Sequence, residues 1–441
     1  MSPSRGALRS WGNYPDHPQE AIACRWRAEL PDRLAEALRD RGSTLPYGSG
    51  LSYGDSCLAQ SDCVIRTRPL DRFIAADWLD GVVTAEAGVT LEEILRVAIP
   101  HGWFLAVAPG TRRVTLGGAI ANDVHGKNHH RRGTFGACVQ RLGLYRSDAG
   151  RLVCSAAEQQ ALFQATIGGL GLTGIIEWAQ IQLVPIRTSD IEVTTQRFEH
   201  LDEFFALSEE LDRKHEFCVS WVDCAAAGRR TGRGVYTAGS FAAEGRATPA
   251  ATRQFTVPVT PPFPVVNRLT LRPFNDLYWR RAPRDRQTRR MGYARFLFPL
   301  DRILGWNRLY GRRGFQQYQC LIPEADARAG IQALLGAIAR SGTGSFLAVL
   351  KRCGDLPSPG LLSFPRVGTT LALDFPQTEE LGPKLLAHLD AIVREAGGRL
   401  YPAKDAHMSG ADFRRSYPAW EQLEALRDPA LMSRFWKRVT G

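Results

Sequence analysis

The chain has 441 residues, of which 44% are hydrophobic and 23% are charged, a composition typical of soluble globular proteins. At roughly 100–200 residues per domain, this length predicts two or three domains, each able to bury a core. No apolar run approaches the roughly 18 residues of a spanning helix, and the N-terminal segment MSPSRGALRSWGNYP lacks the apolar core of a signal peptide. We therefore expect a cytoplasmic protein, either free or peripheral at the inner face of the membrane.

The formal net charge is +11 at pH 7 and the isoelectric point is about 9.4. Such a field attracts anions, whether phosphorylated substrates, acidic lipid surfaces or nucleic acid, and an ordinary solvated surface would also account for it. Nucleic-acid binding would require aromatic side chains interleaved with the basic ones. The arginine-dense stretch 280–295 offers only Tyr293, with Phe296 directly after the stretch, so we expect no nucleic-acid partner.

Nine cysteines are spaced irregularly and none forms a CxxC pair. This pattern is typical of reduced thiols in a cytosolic protein. A bridge between Cys57 and Cys63 in an oxidising compartment is the alternative.

Predicted helices and strands alternate in the first half of the chain, which favours α/β packing there. The helix over 31–42 has Leu34 and Leu38 on one face, and Gly42 can end it. Thr90 begins a second helix, because Glu93 completes a capping box. The other elements predicted here are a strand over 82–89, a hairpin over 139–154 that turns at 148–150, a helix over 158–166 and a strand that ends at 184.

After Pro185 the composition changes, and a domain boundary is predicted near 186–190. The predicted elements of the second half are helices over 201–214, 323–340 and 379–396 and buried strands over 345–351 and 369–375. The stretch 280–295 carries seven arginines and is predicted to include a mobile loop. Beyond 405 the chain is rich in aromatic residues and is predicted to be helical.

Three glycine-rich segments lie in the first half: GSGLSYGD (48–55), VTLGGAIANDVHG (114–126) and GGLGLTGI (168–175). Glycine lets backbone amides approach a pyrophosphate closely and adopt positive φ. None fits a Rossmann fingerprint or a P-loop. Each segment alone is typical of an ordinary loop, whereas the three together favour a nucleotide-binding site.

The segment HGKNHH (125–130) is the densest polar stretch of the chain. Its lysine and histidines suit hydrogen bonding to a cofactor or a substrate phosphate, and a polar loop with satisfied hydrogen bonds is the alternative. Adjacent histidines can also ligate zinc, but no cysteine or carboxylate set accompanies them at ligand spacing. We therefore expect no metal. Lys404, in LYPAKD, is a candidate site residue only if the C-terminal segment folds back on the first domain.

Motifs along nearly the whole chain resemble a known family. They are SYGD (52–55), PGTRRVTLGGAIANDVHGKNHH (109–130), GGLGLTGII (168–176), PLDRILGWNRLYG (299–311), QYQCLIP (317–323), LSFP (362–365), LDFP (373–376) and GGRLYPAKD (397–405). On these motifs the chain resembles the decaprenylphosphoryl-β-D-ribose 2′-oxidase-like flavoproteins of the vanillyl-alcohol-oxidase or PCMH-type FAD family. HGKNHH and the YxAKD pattern are the most specific of them.

The resemblance implies an α+β fold in three parts. A two-lobed PCMH-type FAD-binding domain would span 1–189. A substrate domain of antiparallel sheet and flanking helices would be inserted over 190–397. The C-terminal segment 398–441 would return to the FAD domain and bring Lys404 beside the flavin.

The resemblance also implies a set of site residues. The implied catalytic residues are Lys404, His125 and Lys127. The implied cofactor-binding residues are Gly48, Gly50, Ser52, Tyr53, Gly54, Gly110, Thr111, Gly117, Gly118, Asn122, His125, Gly126, Gly174, Ile175 and Tyr401. The implied substrate-binding residues are Trp221, Gln317, Gln319 and Lys351. Whether Lys404 or His125 is the general base stays open.

The implied function is FAD-dependent oxidation of a sugar secondary alcohol, by hydride transfer to flavin N5. The implied substrate is the 2′-hydroxyl of a polyprenyl-phosphoryl pentose, and a separate NAD-dependent reductase would complete an epimerisation in cell-envelope biosynthesis. Leu51 stands where several relatives carry the histidine that binds FAD covalently, so the FAD is expected to be non-covalent. Ala372 and Leu297 depart from the family pattern in the pocket, which keeps a free sugar or aldonolactone as the alternative substrate.

Overall fold

A small parallel sheet forms near the N-terminus of the computed structural model, which describes residues 8–250 and 253–441. The first seven residues, part of the segment examined for a signal peptide, lie outside these ranges. The elements here are β1 (Glu20–Ala23), α1 (Leu30–Arg41), β2 (Pro46–Tyr47) and β3 (Cys63–Arg66). Strands β1 and β2 pair in parallel with β3. Gly42 ends α1 at φ 73° by donating its N–H to the Leu38 carbonyl, which confirms the helix predicted over 31–42.

A six-stranded antiparallel sheet follows, built around its longest strand. Its elements are β4 (Phe73–Asp77), β5 (Val82–Glu86), α2 (Leu91–Ala98), β6 (Trp103–Leu105), α3 (Leu116–Ala121), α4 (His129–Arg132), β7 (Val139–Arg146), β8 (Gly150–Ser155), α5 (Gln160–Thr166) and β9 (Ile175–Pro185). The order is β4-β5-β9-β7-β8, and β6 also pairs with β9. Thr90 and Glu93 form both hydrogen bonds of the predicted capping box.

An eight-stranded antiparallel sheet spans the middle of the chain. The elements of this region are β10 (Asp190–Phe198), α6 (Leu201–Leu211), β11 (Phe217–Val222), β12 (Gly234–Phe241), β13 (Phe255–Thr256), α7 (Arg268–Arg281), β14 (Gln287–Gly292), α8 (Tyr293–Leu297), β15 (Ile303–Leu304), β16 (Phe315–Pro323), α9 (Ala327–Ser341), β17 (Val349–Cys353), β18 (Gly368–Pro376), a π-helical turn (Leu381–Leu386), α10 (Ala387–Glu395) and β19 (Arg399–Leu400). The order is β14-β10-β12-β11-β17-β18-β16-β19, and β13 pairs with β15 separately.

The main hydrophobic core lies between this sheet and its helices. Phe204 of α6, Leu334 of α9 and Leu389 of α10 are buried against inward-facing residues such as Tyr318 and Leu371. Helices packed on an antiparallel sheet, together with the sheets before them, make the fold a mixed α+β arrangement.

The arginine-dense stretch 280–295 combines a short loop with regular secondary structure. It holds the end of α7, the edge strand β14 and the start of α8. Strand β14 pairs with β10 over six residues. Arg286 forms two hydrogen bonds of 2.8 Å with Glu210, and Arg290 pairs with Asp190 at 3.0 Å. Residues 282–286 form the loop between α7 and β14, and its mobility stays a prediction. The rest of the stretch is ordered by strand pairing and by ion pairs with distant residues.

The C-terminal segment is helical and packs against the first part of the chain. Its helices are α11 (Gly410–Ser416), α12 (Trp420–Leu426) and α13 (Arg434–Thr440). Isolated bridges join Thr44 to Leu431 and Ala59 to Ser433. The Tyr53 N–H donates to the Ala403 carbonyl at 3.1 Å. These contacts carry the segment that holds Lys404 back to the first glycine-rich loop.

All nine cysteines lie within the described ranges, and each is a free thiol, Cys57 and Cys63 included. Among the described residues, no helix combines the length and apolar character needed to cross a bilayer.

Candidate active site

A cavity of about 1020 Å³ lies between the eight-stranded sheet and the glycine-rich loops of the first part of the chain. Two of its walls come from loops 46–53 and 109–127, and a third comes from residues around 171–176. The sheet contributes every second residue of several neighbouring strands to the cavity wall, because alternate side chains of a strand point to the same face of the sheet. These sheet residues include Val193, Thr195, Val219, Trp221, Thr237, Gln317, Gln319, Val349, Lys351, Thr370, Ala372 and Asp374.

The cavity gathers most of the residues that the sequence singled out. Those that line it are Gly48, Gly50, Ser52, Tyr53, Gly110, Thr111, Gly117, Gly118, Asn122, His125, Gly126, Lys127, Gly174, Trp221, Gln317, Gln319, Lys351, Tyr401 and Lys404. They come from three loops, the sheet and the C-terminal segment, so only the tertiary fold brings them together.

Two residues expected at the cofactor lie elsewhere. The side chain of Ile175 packs in a separate cluster with Leu30 and Leu34, whereas its neighbour Ile176 lines the cavity. The sequence could not fix which of the two faces inward, because a shift of one residue reverses the face. Gly54 lies behind the cavity wall, where a Cβ would overlap the Asp405 carbonyl. Its role is therefore close packing against the C-terminal segment.

Glycine is required in the first loop for steric reasons. A Cβ at Gly48 would overlap the Thr115 hydroxyl. Gly50 has φ +66°, and a Cβ there would overlap the Tyr47 ring. Each of these glycines therefore lets the loop lie close to its neighbours while it lines the cavity.

Lys404 extends over the ring of Tyr53, with Nζ 3.5 Å from the ring centroid. Its backbone N–H donates to the Tyr401 carbonyl at 3.0 Å. Burial lowers the pKa of Lys404 to about 7, and the negative charge of Asp374 opposes this shift. The amine therefore changes its protonation state near neutral pH, as a proton-transferring group must.

Asp374 is a site residue that the sequence prediction missed. Its carboxyl is 1% exposed and accepts a hydrogen bond of 2.6 Å from the Gln317 amide. Burial raises the pKa of Asp374 to about 7, against the lowering effects of Gln317 and Lys404. The available signal was an acidic residue inside the apolar strand TTLALDF, since a buried carboxyl in a strand requires a partner.

His125 is held among aromatic rings and one amide. The Gln319 amide nitrogen lies 3.1 Å from Nε2, and the rings of Phe364 and Tyr401 lie 5.6 Å and 5.4 Å away between centroids. Burial, with Lys351 next in effect, holds the pKa of His125 well below its usual range. The imidazole is therefore neutral. With Nε2 accepting from Gln319, the ring proton is on Nδ1, which is buried without a partner among the described residues.

Two lysines of the cavity wall donate to backbone carbonyls. Lys127 Nζ donates to Phe296 and Leu297 at 2.7 Å and 2.9 Å, and Lys351 Nζ donates to Gly126 at 2.7 Å. Burial is the main cause that lowers the pKa of Lys127 to about 7, and Lys351 adds to it. These bonds tie the HGKNHH loop to the large sheet and to α8. Both lysines therefore support the cavity wall, and the catalytic role that the resemblance implies for Lys127 stays a prediction.

The cavity suits a dinucleotide cofactor together with a substrate. It is larger than most single-ligand pockets, and its first-loop glycines leave no room for side chains. The buried Nδ1 of His125 also offers one unused polar atom to a bound group.

Comparison with known proteins identifies the cofactor class. A family model described as an FAD binding domain matches residues 18–155. The decaprenylphosphoryl-β-D-ribose oxidase of Mycolicibacterium smegmatis is 35% identical over 437 residues, which cover 96% of this chain and 94% of that protein. The chain belongs to this family of FAD-binding oxidases.

Membership of the decaprenylphosphoryl-β-D-ribose oxidase family makes the protein an FAD-dependent oxidoreductase and confirms the predicted family, cofactor and enzyme class. A Streptomyces coelicolor protein described as "Uncharacterized protein in mprA 5'region" is 34% identical over 77% of this chain and 95% of its own length. The L-gulonolactone oxidase of Mus musculus is 28% identical over 41% of this chain and 42% of its own length.

One cluster outside the cavity also has metal-ligand chemistry. His130, Asp212 and Cys218 bring ligand-type atoms within 4.8 Å of one another, a proximity that sequence spacing did not reveal. The Tyr236 hydroxyl donates to Asp212 at 2.6 Å. Burial holds the pKa of the Cys218 thiol well above its usual range. The cluster is therefore consistent with a hydrogen-bonded group around a protonated thiol, and the absence of a metal stays a prediction.

Proposed function

We propose that this oxidoreductase oxidises the 2′-hydroxyl of a polyprenyl-phosphoryl pentose, with FAD held non-covalently. The likeness to decaprenylphosphoryl-β-D-ribose oxidase, over 96% of the chain, supports this substrate class. The observation that carries the proposal is one cavity holding Lys404, Asp374 and His125. All three carry groups that can transfer protons, and all three line the same cavity.

When bound, FAD supplies the two-electron acceptor for the carbinol C–H bond. Lys404 is placed to take the hydroxyl proton, because a pKa of about 7 leaves roughly half of its amines neutral at pH 7. The Tyr53 ring, 3.5 Å from Nζ, and the Asp374 carboxylate then stabilise the ammonium that forms.

His125 has the complementary role in this proposal. Gln319 orients the neutral ring of His125. The Nδ1–H of this ring has no hydrogen-bond partner among the described residues. It can therefore donate a hydrogen bond to a substrate or cofactor oxygen. The other division of roles, with His125 as base and Lys404 remaining an ammonium, requires the imidazole to gain a proton. The low pKa of His125 opposes that gain.

The side chain of Leu51 in the first loop supports non-covalent FAD. Leu51 lines the cavity and offers no nucleophilic nitrogen. Acid precipitation should therefore release the yellow colour into the supernatant. Colour that stays with the precipitated chain would contradict non-covalent binding.

We also propose the domain limits 1–189, 190–397 and 398–441 and a two-lobed FAD domain. The separate antiparallel sheets on either side of residue 189 support the first limit. The bridges from Leu431 and Ser433 to the N-terminal part support the return of the last segment. An NAD-dependent reductase partner and a position at the inner face of the membrane belong to the same proposal.

The test is anaerobic addition of candidate substrates to the yellow protein. A detergent-dispersed polyprenyl-phosphoryl ribose should bleach the flavin, whereas free ribose and aldonolactones should not. Bleaching by soluble sugars alone would overturn the proposed substrate. It would favour the alternative of a free sugar or aldonolactone, for which the likeness to L-gulonolactone oxidase covers only 41% of the chain.

A substitution tests the site itself. Lys404→Ala should keep the flavin absorbance of the purified protein but lose bleaching by the substrate. Lys384→Ala, which removes a lysine of an exposed ion pair, is the matched control. Normal bleaching by Lys404→Ala would reject Lys404 as the proton acceptor.

A further inference from the structure

A large apolar surface is exposed beside the cavity. Helix α7 and the segment before it present side chains that proteins usually bury. They are Phe255 (56% exposed), Val259 (67%), Phe263 (78%), Val265 (41%), Leu269 (87%), Phe274 (42%), Leu277 (50%) and Tyr278 (46%). Single exposed apolar residues are ordinary, but a group of this size on one segment marks a site of interaction. We name this surface, residues 253–281, the apolar–basic face.

The apolar–basic face is continuous with the cavity. Tyr278 is half-exposed and also lines the cavity, where its ring lies 4.6 Å from that of Trp221. Ile303, which is 38% exposed, lines the cavity too, and β15, its strand, pairs with β13 of this face. A partner covering the face would therefore lie at the opening of the cavity.

The positive charge of this region indicates which kind of partner it would bind. The apolar–basic face, residues 253–281, contains five arginines and a single acidic residue, Asp276. Arg272, Arg280 and Arg281 are exposed. Aromatic and leucine side chains flanked by arginines are the composition of helices that lie in a bilayer interface and bind anionic headgroups.

A second copy of the chain fits this face poorly. Two such faces would bring their arginines against one another in a protein whose net charge is already +11, and like charges across an interface are unfavourable. An anionic bilayer has the opposite charge and also accepts the apolar side chains.

We propose that the apolar–basic face docks on the surface of an anionic lipid bilayer, with the cavity opening toward the headgroups. The purpose of this docking rests on the proposed function. A lipid-linked sugar phosphate could then place its sugar in the cavity while its polyprenyl chain stays among the lipids. The arginines would meet headgroup phosphates, and side chains such as Leu269 and Phe263 would enter the interface.

The test is sedimentation of the FAD-loaded protein with vesicles, in the absence of substrate. Vesicles of equal parts phosphatidylglycerol and phosphatidylcholine should bind it, and vesicles of phosphatidylcholine alone should bind much less. The double variant Phe263→Ser/Leu269→Ser should lower the partition coefficient by about tenfold or more, because two exposed apolar side chains leave the interface. Leu79→Ser is the matched control, since Leu79 is 92% exposed in a turn of the six-stranded sheet, and it should bind as the unchanged protein does.

A second pair of variants tests the charges. Arg272→Gln/Arg281→Gln should weaken binding to the anionic vesicles by roughly fivefold per arginine. Arg39→Gln, an exposed position on α1, should have little effect. Equal binding of the unchanged protein to both vesicle types would overturn the proposal. So would a loss of vesicle binding in the control variants equal to the loss in the test variants. So would self-association in solution that the Phe263→Ser/Leu269→Ser variant abolishes, because a second copy would then be the occupant.

The docking surface and the proposed substrate can fail separately. The Phe263→Ser/Leu269→Ser variant should still be bleached by the detergent-dispersed lipid-linked pentose, because neither side chain lines the cavity. Vesicle binding without bleaching of the unchanged protein would reject the substrate and keep the surface. Bleaching without selective vesicle binding would reject the surface and keep the substrate.

Discussion

A change of pH tests whether Lys404 takes the proton from the substrate. Its pKa of about 7 makes the neutral fraction of the amine roughly 0.1 at pH 6 and roughly 0.9 at pH 8. If the neutral amine is the base, the rate constant of flavin bleaching should rise about tenfold over this range. Stopped-flow absorbance under anaerobic conditions, at saturating substrate, measures it. A flat or falling profile would refute the assignment.

Asp374→Asn separates Lys404 from the other titrating groups of the cavity. The groups facing its amine are the Asp374 carboxyl, the Tyr53 phenol and the His125 imidazole, and only the carboxylate raises the pKa of Lys404. Removing that negative charge should lower the pKa of Lys404. The midpoint of the bleaching profile should therefore move to a lower pH, by about one unit.

The control for Asp374→Asn is Asp390→Asn, which alters a carboxyl beside His407 and outside the cavity. The control should leave the midpoint unchanged. A midpoint that moves to a higher pH in Asp374→Asn would mean that Lys404 is not the titrating group.

Three further variants test the cofactor site and its supports. Gly50→Ala should reduce the flavin retained after gel filtration, because its Cβ would overlap Tyr47, whereas Gly150→Ala, also at positive φ but in open space, should retain flavin fully. Lys127→Met should lower the free energy of unfolding in urea by about 1–3 kcal/mol by leaving two carbonyls unpaired. Loss of bleaching with normal stability would instead make Lys127 catalytic. Arg438→Ala should cost about 3 kcal/mol in the same assay, since it leaves the buried Asp55 carboxyl without its cationic partner, and an unchanged unfolding midpoint would contradict that.

Local signals in the sequence determined several elements correctly. The helix ended by Gly42, the capping box of Thr90 and Glu93 and the hairpin that turns before Gly150 all appear in the structure. Each depends on contacts within a few residues, which local sequence can encode. The resemblance of long motifs likewise determined the family. HGKNHH and YxAKD are specific because they depend on the order of their residues and not only on the composition of the segment.

Contacts between distant parts of the chain decided the rest. Within the stretch 280–295, Gln287–Gly292 forms an edge strand because β10 is available to pair with it. Ile176 rather than Ile175 faces the cavity because the register of β9 sets the phase of its side chains. His130 meets Cys218 only through the packing of α4 near β11.

The sequence by itself determined that the chain binds FAD and which stretches would serve it. Only the tertiary structure decided the chemistry of those stretches. It placed Lys404 and Asp374 in one buried site, where each has a pKa of about 7, and it tied Lys127 to backbone carbonyls. The physical reason is that a side chain's pKa depends on its burial and on the charges around it, and residues far apart in the sequence supply both.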